Sequence, residues 1–462
     1  MQLGKLGEMW TRRSVLGWVV ACCARLASQE IAFDRVAEHP HPRLLLPPRR
    51  LRYLRRESQR ASPRWVQLQA LVEGGALLPE PGFAYSLCWV ASQKEALGEQ
   101  AVRWALGYGS DTRQLALVYD WCHGLLESTE RQSLAIRLRS ALKTLPRNAS
   151  IEQARDLTFA AIALAEEDEG AREALHWVVE QWWPKTIVEK LNQGQLPFHR
   201  ANAYALLEMF HTIRDNLLVD LRLSHRKFFA QLPLYLLLSY YPTPLAASEN
   251  HYRIPAPIPP ASEPDLKLAM LARATDLSLV AYDPNAELCQ YLQGWLIQDQ
   301  FLMRHPFGAP YEFLWANPYL PGLSYYNAPL VYYDPDRALL IARSSWDDDA
   351  RWFYFDGKQA QAFQEGRIQP LDAASFRQPL ELGHSVIVPG FHLDRFQVAC
   401  ERATSYYLVG LKPFTPYEVE VDDEEIVEEK TDRGGILRLE FPEGRKAGVR
   451  WRPSAMSESS FC

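Results

Sequence analysis

Ala338-Leu339-Leu340-Ile341-Ala342-Arg343-Ser344-Ser345-Trp346-Asp347-Asp348-Asp349-Ala350-Arg351-Trp352-Phe353-Tyr354-Phe355 is where the chain changes character. Two strand-length apolar runs, 338–342 and 351–355, flank a polar connection and are rich in branched and aromatic residues. Similar runs follow at 384–388, 405–409, 417–421 and 435–441. The last of them alternate polar and apolar residues, as antiparallel strands with one wet face do. The stretch 411–452 therefore predicts a small sheet with a hairpin at Asp432-Arg433-Gly434-Gly435. The acidic run Asp422-Asp423-Glu424-Glu425 predicts a solvated turn and lacks calcium-ligand spacing.

Upstream the period is helical, from residue 49 to about 304. Leu134, Leu138, Leu142 and Leu145 recur at helical spacing behind Ser128 or Thr129 as cap. Leu157, Ala160, Ala161 and Leu164 form a second stripe, and Leu175, Val178, Val179 and Trp182 a third. Further helices are predicted at 97–107, 113–126, 200–219, 226–240, 265–281 and 286–304. Short polar connections between them imply antiparallel helical hairpins, and no fixed repeat period supports a solenoid array. The expected organisation is a helical domain over 40–325 and a β-domain over 330–455, with the change falling within 305–335.

A length of 462 residues suits two or three domains, and 47% hydrophobic with 23% charged residues is an ordinary globular composition. The net charge of −6 gives no support for nucleic-acid binding. Seven scattered Cys without a C-x-x-C pair suggest neither a zinc site nor a redox motif, and no cofactor is expected. Fourteen Trp, 21 Tyr and 19 Phe either fill a helical core or supply the flat, polar-tipped faces that sugar-binding clefts use.

Residues 1–27 have the layout of an export signal. Arg12-Arg13 precede the apolar run Val15-Leu16-Gly17-Trp18-Val19-Val20-Ala21, which is too short to span a bilayer. Thr11-Arg12-Arg13-Ser14-Val15-Leu16 resembles the bacterial twin-arginine motif. Val19-Val20-Ala21-Cys22 resembles a lipobox in which Cys22 would carry a lipid anchor. The alternative is an uncleaved amphipathic start. The signal reading places the protein outside the cytoplasm, periplasmic or extracellular.

Three stretches, in this order, resemble the heparinase II/III-like polysaccharide lyases and related alginate lyases. They are His41-Pro42-Arg43-Leu44-Leu45-Leu46; Leu117-Val118-Tyr119-Asp120-Trp121 with Ser128-Thr129-Glu130-Arg131; and 343–352. The resemblance covers roughly residues 40 to 395. It implies an α+β multidomain protein, an incomplete α/α toroid followed by an antiparallel β-sandwich, with a carbohydrate cleft between them. It also implies β-elimination on a uronic-acid polymer. That chemistry needs a group neutralising the carboxylate, a base for the C5 proton, and an acid for the departing O4. Tyr204 stands where the family has its tyrosine. The family's Asn-His pair has no counterpart in Gln153-Ala154-Arg155-Asp156-Leu157-Thr158, and its β-domain histidine has none in 357–364. These departures point to altered chemistry or to none.

Asn250, His251, Tyr252 and Arg253 gather the required chemical types in one proline-flanked loop, yet neighbours in an extended loop point in different directions. They either line a cleft or anchor the loop. His199 shares a groove with Tyr204 only if it lies in the loop before that helix, and otherwise caps it. Trp315, Tyr325 and Tyr326 lie near the predicted junction, as a sugar platform or as packing. Asp347-Asp348-Asp349 suggests an acid pair for glycoside hydrolysis, or a polar connection between strands; Asp120 is the other obvious carboxylate for that reaction. Two functions compete: an exported lyase-like protein acting on or binding acidic polysaccharide, and a non-catalytic carbohydrate-binding or assembly protein with the same fold. Nothing in the sequence fixes an oligomeric state.

Overall fold

Asp120, in the Tyr-Asp-Trp stretch, organises the segment around His41, Arg43 and Leu44. This computed structural model describes residues 33–143, 148–246, 251–258, 263–299, 301–372 and 374–454. The expected export signal with Cys22, and Asn250, lie outside them. Helices occupy the chain as far as Trp315, apart from a two-residue ribbon, and strands follow from Val331. This is the expected order of a helical region and then antiparallel sheets. The expected helices appear as Glu95–Leu106, Thr112–Trp121, Arg200–Leu217, Arg226–Leu238, Leu266–Tyr282 and Glu287–Gln298. Among the described residues no helix is long and apolar enough to cross a membrane.

By contacts the chain forms two compact units: Met1–Arg60, Glu80–Glu189 and Glu208–Phe229 make the first, and Ala61–Pro79, Lys190–Leu207 and Ala230–Cys462 the second. In the first, the Pro81–Ser92 and Glu95–Leu106 helices pair as a hairpin beside the Thr112–Trp121 helix, which is buried from Arg113 to Trp121. Asp120, 1% exposed, accepts the backbone N–H of Arg43 at 2.9 Å and of Leu44 at 2.8 Å, and the His41 ring at 2.5 Å. Trp121 Nε1 donates to the Leu44 carbonyl at 2.9 Å. An entry segment with no ladder of its own thus has its polar backbone satisfied by one carboxylate. The Ser128–Leu142 helix is capped one residue earlier than expected, by Glu127, whose backbone N–H donates to Glu130. The third stripe lies partly in a wide-turned stretch, Trp177–Val188, with Pro184 inside it. There Trp182 and Trp183 are buried, and Trp183 stacks on Phe229.

The second unit holds all the sheets. A ribbon of β1 (Leu245–Ala246) and β2 (His251–Tyr252) precedes a meander of β3 (Val331–Asp334), β4 (Leu339–Arg343), β5 (Trp352–Phe355), β6 (Ala360–Gln364) and β7 (Arg367–Leu371). The later strands are β8 (Leu380–Leu382), β9 (Ser385–Pro389), β10 (Arg395–Ala399), β11 (Thr404–Val409), β12 (Pro416–Val421), β13 (Glu425–Lys430), β14 (Leu437–Phe441) and β15 (Lys446–Pro453). They form two sheets, ordered β14-β11-β9-β8 and β10-β15-β12-β13, antiparallel except for the β9–β11 pair.

The three sheets stack in three layers. Ile387, Tyr407 and Val409 of the middle sheet share a core with Leu340, Phe353 and Ala362 of the meander. Val386, Val388 and Leu408, on its other face, share one with Phe396, Val419 and Trp451. A strand buried on both faces has no polar alternation to show, which explains the continuous Val386-Ile387-Val388 run. The expected hairpin at 432–435 is instead a crossover. It carries the chain from β13 in the outer sheet to β14 in the middle one, with Asp432 Oδ1 accepting the N–H groups of Gly434 and Ile436 at 2.8 Å. Gly435, at φ 71°, has no room for a side chain: a Cβ would meet the Leu411 carbonyl at 2.0 Å. The acidic run is the expected turn, between β12 and β13, with Asp422 and Asp423 both left-handed at φ 56° and 59°.

The meander's other face packs on helices of the same unit. Trp352 Nε1 donates to the Leu238 carbonyl at 2.8 Å, and Tyr241 donates to Gln361 at 2.6 Å. This packing holds the β4–β5 connection where the site described next is built.

Candidate functional site

Arg343 ends β4, and its guanidinium is folded back under the connection that follows. The residue is 4% exposed, with Cζ 4.3 Å from the centre of the Trp346 ring. Nε donates to the Ser345 carbonyl and Nη2 to that of Asp347 at 3.4 Å. Among the described residues no carboxylate pairs with Arg343, and its Nη1 has no hydrogen-bond partner. Burial, reinforced by the charge of Arg253, pulls its pKa down to about 9, against the opposite pull of Tyr325, Asp348 and Asp347. A nearly buried cation without a paired anion is costly, and an incoming anion relieves that cost.

The connection itself is rigidly made. Ser345 Oγ donates to Asp347 Oδ2 at 2.9 Å and accepts the Asp347 N–H at 3.2 Å. Its ends are tied by Ser344 N–H to the Arg351 carbonyl at 2.9 Å, and Trp346 Nε1 donates to the Ala328 carbonyl at 3.1 Å. Tyr325 meets Trp346 edge-on at 5.8 Å and stacks on Tyr326 at 4.6 Å, and Tyr326 is 55% exposed. Burial, then the bond to the Tyr326 hydroxyl, raises the Tyr325 pKa to about 12. The Tyr325 hydroxyl is therefore protonated at neutral pH and available as a hydrogen-bond donor.

Arg253 comes to the same place from the β1–β2 ribbon. It donates to Asp299 at 3.3 Å and to the Pro242 carbonyl at 2.5 Å, and lies 3.4 Å from Asp348, whose side chain is exposed. Behind it the charges alternate inward. Asp299 pairs with Arg273 at 2.8 Å, Arg273 with Glu312 at 2.9 Å, and Glu312 with Arg64 at 3.0 Å. Each interior charge is matched, so Arg253 is held in place by the chain behind it. A stacked tyrosine pair, two guanidiniums and two acidic side chains thus meet at one partly exposed place.

The other expected residues lie elsewhere. Tyr204 is 3% exposed; its hydroxyl accepts from Trp315 Nε1 at 2.8 Å, and its ring packs edge-on against Tyr311 at 4.9 Å. Trp315 is 2% exposed, so this pair is interior packing. His199 is exposed at the start of the Arg200–Leu217 helix, where its backbone N–H donates to Asn202 Oδ1 at 2.9 Å. Tyr252 is buried against Phe301 at 4.8 Å, while His251 is exposed in β2. Of the loop quartet, Arg253 takes part in the cluster's bonding, as do Tyr325 and Tyr326 of the aromatic candidates. Sequence reasoning missed Arg343, whose motif it took for a connection between strands. The signal was there: a Trp three residues after an Arg, beside acidic residues.

In the first unit, Arg155 and Asp156 stand where the resemblance implied an Asn-His pair, and they build an ion network. Glu208, fully buried, takes Arg113 at 2.7 Å and Arg155 at 2.9 Å, and Arg155 also pairs with Asp156 at 2.7 Å. Burial raises the Asp156 pKa against the pull of Arg155. Cation and carboxylate are mutually satisfied here, and Asp120 likewise has its oxygens committed to the entry segment.

No family model matches the chain, and no curated protein matches it. Among solved structures it is similar to the heparan sulfate lyase HepC from Pedobacter heparinus, at 11% identity and TM-score 0.38, covering 96% of this chain and 88% of that one. It is also similar to a glycoside hydrolase at 10% and 0.24, covering 87% and 75%. At these TM-scores the likeness carries no argument about what this chain does.

Proposed function

We propose that the protein is exported and binds a uronic-acid-containing polysaccharide at the Arg343, Arg253, Tyr325 and Tyr326 cluster, without cleaving it. The observation that carries this reading is the buried Arg343, unpaired among the described residues, beside an exposed tyrosine face. A sugar ring stacks its C–H face on Tyr326 and brings its carboxylate to Arg343 Nη1. Asp347 and Asp348 accept from ring hydroxyls. Elimination needs a base as well, and Tyr325 stays protonated. The lyase reading keeps one point in its favour, because a protonated Tyr325 suits the departing O4. In the same account residues 1–27 direct export, Cys22 carries the lipid, and the domains run over 40–325 and 330–455.

Titrating the pure protein with oligouronates while following the ultraviolet absorbance of unsaturated products separates the two. Binding without absorbance is expected, and product formation abolished by Tyr325→Phe establishes the lyase. No binding to any acidic glycan removes both.

A further inference from the structure

On the face of the meander that packs on the middle sheet, opposite to that of Arg343, lies a cavity of about 440 Å³ lined by Arg351, Arg377, Gln364, Gln369, Gln378 and Phe376. Among the described residues no carboxylate lines it. Arg351 and the three glutamine amides have no side-chain hydrogen bond among the described residues, and Arg377 uses only Nε, towards the Ala374 carbonyl at 3.0 Å. Asp372, which adjoins the lining at Leu371, is turned to its own loop: it accepts from the Ser375 hydroxyl and from the N–H groups of Ser375 and Ala374, which lower its pKa. Two guanidiniums and three carboxamides, unopposed by an acid in the lining, are donor-rich in the way an oxyanion-bearing sugar requires.

The connection to the first cluster is covalent. Arg351 lies in the same β4–β5 connection as Asp347 and Asp348, whose ends Ser344 and Arg351 tie together. Only Asp349 and Ala350 separate Asp348 from Arg351, so their Cα atoms are at most about 11 Å apart. We propose that this cavity is a second anionic-sugar subsite, which takes a carboxylate or sulfate group from a residue further along the chain held at Arg343. The inference rests on the reading of the Arg343 cluster as a sugar site. It adds that the protein measures polymer length, and that the charge of the second sugar is read by Arg351 and Arg377.

The test is calorimetric titration of the full-length protein with oligouronates and sulfated oligosaccharides of two, four, six and eight sugars. Binding of the disaccharide that tightens about tenfold or more with length is expected, with the gain lost in the Arg351→Ala/Arg377→Ala double variant. Disaccharide affinity should be unchanged in that variant, which also shows that it is folded. Carboxylated and sulfated series distinguish which group the subsite takes. A length gain that persists in the double variant, or no length gain at all, overturns the subsite and leaves the Arg343 reading standing. Absence of disaccharide binding in the wild type overturns the Arg343 reading, and the subsite falls with it.

Discussion

Replacing Asp120 by alanine removes one acceptor from three donors at once. Two of them, the backbone N–H groups of Arg43 and Leu44, belong to residues 4% and 0% exposed, where water does not replace the lost carboxylate. A buried donor left unsatisfied costs about 1–3 kcal/mol, and bonds to a charged acceptor lie towards the upper end. Asp120→Ala should therefore cost about 4 kcal/mol, a large part of the 5–15 kcal/mol a domain has. His41→Ala removes a single bond from a ring at the edge of the core and should cost about 1 kcal/mol. Asp120→Asn, with one acceptor oxygen left, falls between. Urea unfolding followed by tryptophan emission is the assay, and Trp121, bonded to the Leu44 carbonyl, reports on the segment itself. An Asp120→Ala protein within 1 kcal/mol of wild type, or no weaker than His41→Ala, refutes the role given to this carboxylate.

Glu208→Gln leaves Arg113 and Arg155 buried without their shared anion and should destabilise the first unit by about 3–5 kcal/mol, read as a lowered urea midpoint. Burial raises the Asp276 pKa from 3.8 to about 6 despite Arg200 and Tyr240. The native state therefore holds a proton that the unfolded chain releases between those values, and stability should fall as pH rises from about 4 to 6, then level off. Asp276→Asn should flatten that part of the profile in urea midpoints taken from pH 4 to 8; a profile of unchanged shape contradicts the assignment. Tyr326→Ala should weaken oligouronate binding by about tenfold, the worth of one stacking platform, with the thermal midpoint unchanged.

The helices were legible because each buries one stripe, as Leu134, Leu138 and Leu142 do, and a stripe has a period. The layer order of the sheets was not. β13 and β14 are neighbours in sequence but edge strands of different sheets, and only the crowding of Gly435 against Leu411 marks the crossover. The site was half legible. Arg253, Tyr325 and Tyr326 were named from their chemistry, whereas Tyr204, Tyr252 and Trp315 carry the same groups into the core. Residue type alone does not separate a wet tyrosine from a buried one. Arg343 was missed because its importance lies in what does not pair with it, and pairing is a property of the fold.

The most direct measurement is a crystal structure of the protein with a bound oligouronate. The account predicts a sugar ring on the Tyr326 face and its carboxylate within hydrogen-bond distance of Arg343 Nη1. A sugar bound elsewhere, with Arg343 Nη1 still unmatched, would contradict it.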